Sequence, residues 1–226
     1  MRIALARPGT HPISGAIREA GWEPVDFPLT RIVSNGAPPP QPLASYHGVV
    51  LLSPGAAWAL RPWLEGGAQP GTATVFLVQG EGTLEALGAT TLDTRLAPTP
   101  TAEGIWELLQ REFPEGGSFL LARAERSRGY LEEVSAGTAW KLWPWITHHE
   151  QAVEPLPELP RVDAVLALSP MQAELLGPLS KELLRFGWGD RTVFGFRKAG
   201  VEPSATCEPR LEALTNLLRE HLHSKA

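Results

Sequence analysis

Val50-Leu51-Leu52-Ser53-Pro54 and Leu166-Ala167-Leu168-Ser169-Pro170 are two copies of one pattern, 116 residues apart. In each copy a continuous apolar run, typical of a strand buried on both faces of a sheet, ends at a serine and a proline. Serine is favoured at the N-cap of a helix and proline at its first helical position. The pattern therefore predicts a buried strand that runs directly into a helix, once in each half of the chain.

The similarity between the two halves extends beyond this pattern. Ile3–Arg7 resembles Phe119–Arg123 at the same offset of 116 residues, and Thr74–Phe76 matches Thr192–Phe194 at an offset of 118. The second match pairs Thr192–Phe194 with a predicted strand. Solenoids need about three repeats or more, so two copies indicate two similar domains from one duplicated unit.

Predicted helices alternate with the predicted strands. Apolar residues at helical spacing form one stripe in each half, namely Ile105, Leu108, Leu109 and Phe113, and Leu211, Leu214, Leu218 and Leu222. Near the start, Thr10 is placed to cap a helix in which Ile13 and Ile17 share one face. Alternating β and α elements predict parallel sheets with helices on both faces, and such sheets bind ligands beyond the carboxyl ends of their strands.

Composition excludes several classes of protein. The 226 residues are 43% hydrophobic and 20% charged, which is ordinary for a globular chain and not for a disordered one. A net charge of −5 argues against a globally basic nucleic-acid-binding protein. The single cysteine argues against a disulfide framework. Since no secretory signal or membrane-spanning apolar run is present, we expect a soluble, cytoplasmic protein.

The order of these motifs resembles that of the uroporphyrinogen-III synthase family, over nearly the whole chain. A first apolar strand ends in Arg7-Pro8, and two later strands end in Ser-Pro. Val78–Gly88 resembles the family's strand, glycine turn and threonine that opens a helix, and 121–126 resembles the strand that follows. Each motif is weak by itself, so the resemblance rests on their order and on the repeat.

The resemblance implies an α/β fold of two flavodoxin-like parallel-sheet domains, joined by a two-stranded linker. Residues 1–33 and 149–226 would form a discontinuous first domain, and residues 36–141 the second. The linker strands would lie near 30–34 and 143–147. The substrate would lie in the cleft between the domains.

The resemblance also implies a function in tetrapyrrole biosynthesis. The family's enzymes are hydro-lyases that cyclise hydroxymethylbilane, a linear tetrapyrrole with many carboxylates, and invert its ring D through a spiro intermediate. Catalysis would consist largely of holding a flexible chain in the productive conformation. Two alternatives stand beside this interpretation. One is a catalytically degenerate relative that binds a tetrapyrrole or another polyanion without turnover, and the other is an unrelated two-domain sensor of a small ligand.

Two departures from the family pattern motivate the degenerate alternative. Aligning Thr192–Phe194 with Thr74–Phe76 leaves a six-residue gap in the second copy, where Gly195–Lys198 stands in place of the glycine turn and its threonine. A tyrosine that the family often has in the returning linker strand is replaced by Trp145. Indole is no practical proton donor.

The candidate catalytic residues are Trp145, Tyr130 and His148. Trp145 would either stack on pyrrole rings or pack on a domain, and Tyr130 could substitute for the missing tyrosine. His148 would be either an acid near neutral pH or a solvated linker histidine.

The candidate substrate-binding residues are Arg7, Ser53, Thr83, Arg123, Trp145, Ser169 and Arg197. The serines and Thr83 are helix caps first, with contact to a substrate carboxylate as a second, compatible role. The arginines would bind substrate carboxylates or form surface ion pairs.

No metal or cofactor is expected. His148 and His149 would point to opposite sides of a strand, and no third ligand stands at a suitable spacing. The expected partner is the linear tetrapyrrole, with a transient contact to hydroxymethylbilane synthase and no nucleic acid or membrane. We expect a monomer.

Overall fold

The computed structural model describes residues 1–6, 12–88 and 91–223. The described strands are β1 (Arg2–Leu5), β2 (Glu23–Asp26), β3 (Thr30–Ser34), β4 (Gly48–Leu51), β5 (Val75–Val78), β6 (Thr94–Leu96), β7 (Gly117–Ala124), β8 (Trp140–Ala152), β9 (Ala164–Ala167), β10 (Leu184–Trp188) and β11 (Ala205–Cys207). The described helices are α1 (Pro12–Glu19), α2 (Pro54–Glu65), α3 (Glu81–Leu87), α4 (Ala102–Glu112), α5 (Tyr130–Ser135), α6 (Pro170–Leu179), α7 (Arg191–Lys198) and α8 (Leu211–His223).

The chain divides into two compact units. Unit 1 comprises Met1–Arg31 and Glu150–Ala226, and unit 2 comprises Ile32–His149. The chain passes from one unit to the other within β3 and again within β8. Main-chain bonds from Asn35 N–H to Thr147 O and from Val153 N–H to Leu29 O show that these two strands run antiparallel. The bonds lie between Thr147 of β8 and Val153 just after it, later along the chain than the predicted 143–147.

Unit 1 contains a five-stranded parallel sheet in the order β11-β10-β9-β1-β2. Numbered along the unit, this is the order 2-1-3-4-5 of flavodoxin-like sheets. Ile3 and Leu5 of β1 lie on one face in a core formed with α1 and α8, and Ala4 lies on the other face in a core with α6 and α7. The predicted α/β class with parallel sheets is therefore confirmed.

Unit 2 contains the strand order β8-β7-β4-β5-β6, with β3 added at the outer edge of β8. β7, β8, β4, β5 and β6 occupy the places that β1, β2, β9, β10 and β11 hold in unit 1, so both units have the same spatial order. Every residue of β4 is buried, as the apolar run predicts. Val49 and Leu51 pack in a core with α2, and Val50 packs in a core with α4.

Thr192–Phe194 lies in α7, so pairing it with the strand at Thr74–Phe76 was wrong. The true counterpart of β5 is β10, in which Leu184, Phe186 and Trp188 alternate with other residues at the period of a strand. The prediction followed the three-residue match between Thr74–Phe76 and Thr192–Phe194 and overlooked this alternation. The predicted cap Thr10 lies outside the described residues, and Ile13 and Ile17 are both buried on α1.

Two glycines allow α6 and α7 to pack closely. A Cβ on Gly195 would overlap the main-chain carbonyl oxygen of Pro170, and a Cβ on Gly177 would overlap the Ala199 side chain. By contrast, a Cβ on Gly15 of α1 would meet no atom within 4 Å. The carbonyl oxygen of Pro170, as a main-chain atom, has little freedom to move away from a Cβ at position 195.

We expect Gly195→Ala to lower the free energy of unfolding by about 1–3 kcal/mol, the usual cost of overpacking. The matched control, Gly15→Ala, should leave it unchanged or raise it slightly, because alanine favours a helix more than glycine does. Urea denaturation followed by circular dichroism measures both. Equal effects of the two substitutions would contradict close packing at Gly195.

Candidate functional site

In both units the carboxyl ends of the parallel strands lead directly into helices. Ser53 follows β4 and caps α2, since its Oγ accepts a hydrogen bond from Ala56 N–H at 3.2 Å. Ser169 follows β9 and caps α6, since its Oγ accepts from Gln172 N–H at 3.1 Å. Both predicted caps are confirmed. The other candidates are placed relative to these two helix ends.

Thr192 is a functional candidate that the sequence analysis missed. Gly189-Asp190-Arg191-Thr192 follows β10 just as Gly80-Glu81-Gly82-Thr83 follows β5. The peptide N–H groups of Thr83 and Thr192 bond to the carbonyls of Gly80 and Gly189, at 2.9 and 3.1 Å. The inferred six-residue gap was therefore wrong, because the second copy has its own glycine turn and threonine. A search for Gly-x-x-Thr after an alternating apolar stretch would have found it.

Neither threonine is a helix cap. The N-cap of α3 is Gly80, so the prediction that Thr83 opens the helix by capping it was wrong. Thr83 and Thr192 are 4% and 1% exposed, and Thr192 Oγ1 donates to Gly189 O at 2.7 Å. The Thr192 hydroxyl thus holds its own turn, and the residues between glycine and threonine in both turns are exposed.

Ser169 belongs to a network of the chain's own side chains. Glu150 of β8 accepts hydrogen bonds on Oε1 from Thr30 Oγ1 at 2.7 Å, Ser169 Oγ at 2.8 Å and Gln172 Nε2 at 3.3 Å. The carboxylate therefore lies at the amino end of α6, where the helix dipole favours an anion. A substrate carboxylate at Ser169, the binding role predicted for this serine, would therefore have to compete with Glu150.

Gln172 adds a second link at the same helix end. Its Oε1 accepts from Leu168 N–H at 2.9 Å, one residue before the position that a standard capping box satisfies. Its Nε2 also donates to Thr30 Oγ1 at 3.0 Å. Both crossing strands are thus tied to α6 within unit 1.

His148 lies at the amino end of α2, within unit 2. Its Nδ1 is 2.7 Å from Thr147 Oγ1, which donates its own proton to Arg123 O at 3.2 Å. The hydroxyl can then only accept from His148, so the proton of the neutral imidazole is assigned to Nδ1 and the lone pair to Nε2. Burial lowers the pKa of His148, and His149 lowers it further. Burial therefore works against the predicted role of an acid near neutral pH, because it favours the neutral ring.

Arg123 is the last residue but one of β7 and is occupied by internal contacts. Its Nε lies 2.6 Å from Glu132 Oε1, off the axis of a linear hydrogen bond, with the arginine side chain 17% exposed. One terminal nitrogen donates to Ala124 O at 3.1 Å and to Glu125 O at 3.4 Å. A substrate carboxylate at Arg123 would compete with Glu132.

Arg197 lies away from the carboxyl ends of the strands. It is in the last turn of α7, a helix that returns toward the amino edge of the sheet, and it pairs with Glu202 at 3.0 Å. A substrate contact at Arg197 would therefore lie away from the strand ends and would compete with Glu202. Arg7 lies outside the described residues.

Two other arginines are placed to meet an anion. Arg126 follows the end of β7 and Arg191 begins α7, and both are exposed. Within residues 1–6, 12–88 and 91–223 neither forms an ion pair. Each unit therefore presents one unpaired guanidinium near the carboxyl edge of its own sheet.

The aromatic candidates differ in accessibility. Trp145 is 3% exposed, packs in the core with α2, and donates its indole N–H to Ala37 O at 3.0 Å. Stacking on a ligand was therefore the wrong interpretation of Trp145, because its ring is in the core. Tyr130 is the first residue of α5 and is half-buried beside the core formed with α4.

Membrane spans and metal clusters are both absent from the described part of the chain. No helix there is both long and apolar enough to cross a membrane. No three histidine, cysteine, aspartate or glutamate side chains among the described residues come together in a way that could hold a metal ion.

Comparisons of the sequence and of the structure with known proteins lead to the same family. The sequence profile of the family described as Uroporphyrinogen-III synthase HemD matches residues 11–216. A mutant uroporphyrinogen III synthase from the extremely thermophilic bacterium Thermus thermophilus is similar in structure, with a TM-score of 0.60, 19% identity, and coverage of 99% of each chain. The uroporphyrinogen-III synthetase from Helicobacter pylori has a TM-score of 0.66 and 14% identity, over 98% of this chain and 100% of that one. A comparison with curated protein sequences gives no match.

We expect Glu150→Gln to lower the free energy of unfolding by about 1.5–3 kcal/mol, because hydrogen bonds to a charged group are lost at a helix end. The control Glu158→Gln changes an exposed glutamate in the same unit. Urea denaturation at neutral pH compares the two. Equal stability of both variants would show that the hydrogen bonds of Glu150 contribute nothing to the free energy of unfolding.

Proposed function

Because the chain belongs to the uroporphyrinogen-III synthase HemD family, its function is that of a uroporphyrinogen-III synthase, and we propose that its two glycine–threonine turns and two unpaired arginines bind the substrate. The family match across residues 11–216 carries the function. The placement of Arg126 and Arg191, and the second glycine–threonine turn at Thr192, support the proposed site.

The reaction makes few demands on side-chain chemistry. The hydroxyl of hydroxymethylbilane leaves as water, which consumes a proton, and the ring carbon that forms the last bond finally releases one. Acid and base are therefore each needed once in a turnover. The harder task is to hold a flexible polycarboxylate so that ring D closes inverted, and this is a task of positioning.

We propose that substrate carboxylates bind at the Gly80–Thr83 and Gly189–Thr192 turns and not at the amino ends of α2 and α6. His148 and Glu150 already occupy those two helix ends. Ser53 and Arg123 remain proposed substrate-binding residues at the carboxyl edge of the sheet in unit 2. Arg7 remains a proposed substrate-binding residue because of its position in the sequence. Of the three catalytic candidates, we propose Tyr130 as the acid, because Trp145 is buried in the core and burial favours the neutral ring of His148.

The finer aspects of organisation are also proposals. Residues 1–33 with 149–226 and residues 36–141 would be the two domains, which the division of the chain within β3 and β8 supports. The protein would act as a cytoplasmic monomer. A transient contact with hydroxymethylbilane synthase would deliver the substrate, because the free intermediate closes without inversion.

We expect the purified protein, supplied with hydroxymethylbilane generated in situ by its synthase, to form type III uroporphyrinogen in excess over type I. Chromatography of the oxidised products measures the ratio of isomers. A ratio equal to that without the protein, from folded protein, would contradict the function.

We expect Arg126→Ala and Arg191→Ala each to raise KM by about 1.4- to fivefold, since an exposed ion pair contributes roughly 0.2–1 kcal/mol. Arg197→Ala is the matched control, because it removes an arginine at the opposite edge of the sheet. Initial rates of type III formation at several substrate concentrations give KM. A larger effect at Arg197 than at Arg191 would overturn the proposed placement of the substrate.

A further inference from the structure

The imidazole of His148 packs against the first turn of α2 where residue 55 has no side chain. A Cβ on Gly55 would lie 2.7 Å from Nε2, 2.8 Å from Cε1 and 3.0 Å from Cδ2 of His148. An alanine at position 55 would therefore displace the ring. Gly55 is buried and His148 is 5% exposed, so the ring has little room to move aside.

The other side of the ring is held by β7. The chain of bonds from Nδ1 through Thr147 Oγ1 ends at Arg123 O, and Glu125 N–H donates to His148 O at 2.9 Å. Nε2 makes no hydrogen bond within the described part of the chain. His148 thus connects the end of β7, the later part of β8 and the start of α2.

Protonation of Nε2 would place a positive charge against the amino end of α2, where the helix dipole is already positive. His149, the neighbouring titratable group on β8, adds to this repulsion when it is charged. Ser53, Pro54 and Gly55 in the first turn of α2 bring no titratable group. On β7, Arg123 is paired with Glu132, and Glu125 just beyond the strand is exposed.

The direction of the pH effect follows from this geometry. Burial lowers the pKa of His148 in the folded protein, so the unfolded chain binds the proton more readily. The stability from this group is therefore complete above the ordinary histidine pKa of about 6.5 and is lost as the pH falls toward the lowered value.

We propose that Gly55 and His148 form a lock in which a neutral imidazole positions the carboxyl edge of unit 2 for the reaction, and which opens when the imidazole is protonated. The lock rests on the proposed function, because the elements that it joins carry Ser53 and lead to Arg126. His148 is a positioning residue here and does not touch the substrate.

A double-mutant cycle tests the contact itself. In the wild-type background Gly55→Ala should lower Tm by about 5 °C, corresponding to roughly 1–2 kcal/mol in a chain of this size. In a His148→Ala background the same substitution should leave Tm unchanged or raise it by about 1–3 °C, because the ring is gone and alanine favours the helix. Equal lowering of Tm in both backgrounds would overturn the lock.

Gly82→Ala is the matched stability control, since Gly82 is also the second residue of a helix and its Cβ would meet only Pro54 Cγ, at 3.9 Å. Its effect on Tm should be the same with and without His148. Nitrogen-15 NMR of the imidazoles in the intact wild-type protein gives a test that needs no variant to fold. We expect His148 to carry its proton on Nδ1 and to titrate below the free imidazole, and an Nε2-protonated ring would overturn the proposal.

The pH profile of type III formation tests the role in positioning. Wild-type kcat/KM should fall as the pH drops through the pKa of His148 found by NMR. His148→Gln should lower kcat/KM by about tenfold at neutral pH and remove this acid limb, whereas His149→Gln should retain it. An unchanged acid limb in His148→Gln would overturn the positioning role. If no type III isomer forms at all, the proposed function fails, while the double-mutant cycle and the NMR titration still decide whether the lock exists.

Discussion

The structure depends on which side chains cover the amino ends of α2 and α6. Each helix begins with free N–H groups and the positive end of a dipole, and each lies at the edge where parallel sheets bind ligands. The chain supplies a serine cap in both cases and then adds a side chain from β8. His148 serves α2 and Glu150 serves α6, two residues apart on one strand. A single strand therefore closes the corresponding helix end in each unit.

The two closures differ in charge, although the helices are repeats of each other. Glu150 complements the dipole of α6 with a full negative charge and three hydrogen bonds. His148 stays neutral, and its ring fits because Gly55 stands where the second copy has Met171. A methionine side chain at position 55 would occupy the place of the ring. The duplicated unit has therefore diverged at one helix position to accept a different group from β8.

The sequence predicted those features that depend on local pattern. Strands such as β4 were evident because every residue is apolar, and the two serine caps were evident because the N-cap and first-turn preferences act on adjacent residues. Thr192 was misplaced because a three-residue match was preferred to the alternation of Leu184, Phe186 and Trp188. The Arg123–Glu132 pair and the Glu150–Ser169 bond could not be predicted, since they join residues 9 and 19 positions apart whose distance is set by tertiary packing.

The charge distribution leaves limited means of binding a polycarboxylate. The chain has 20 basic and 25 acidic residues, so attraction must be local. Arg123 and Arg197 are each neutralised by a neighbouring glutamate, and the amino ends of α2 and α6 are closed. At the strand ends of the described residues, the two glycine–threonine turns and the exposed arginines Arg126 and Arg191 are the groups that we propose for this attraction. Recognition through main-chain groups depends on the path of the backbone more than on side-chain identity. In the second turn the buried hydroxyl of Thr192 donates to Gly189 O and so helps to fix that path.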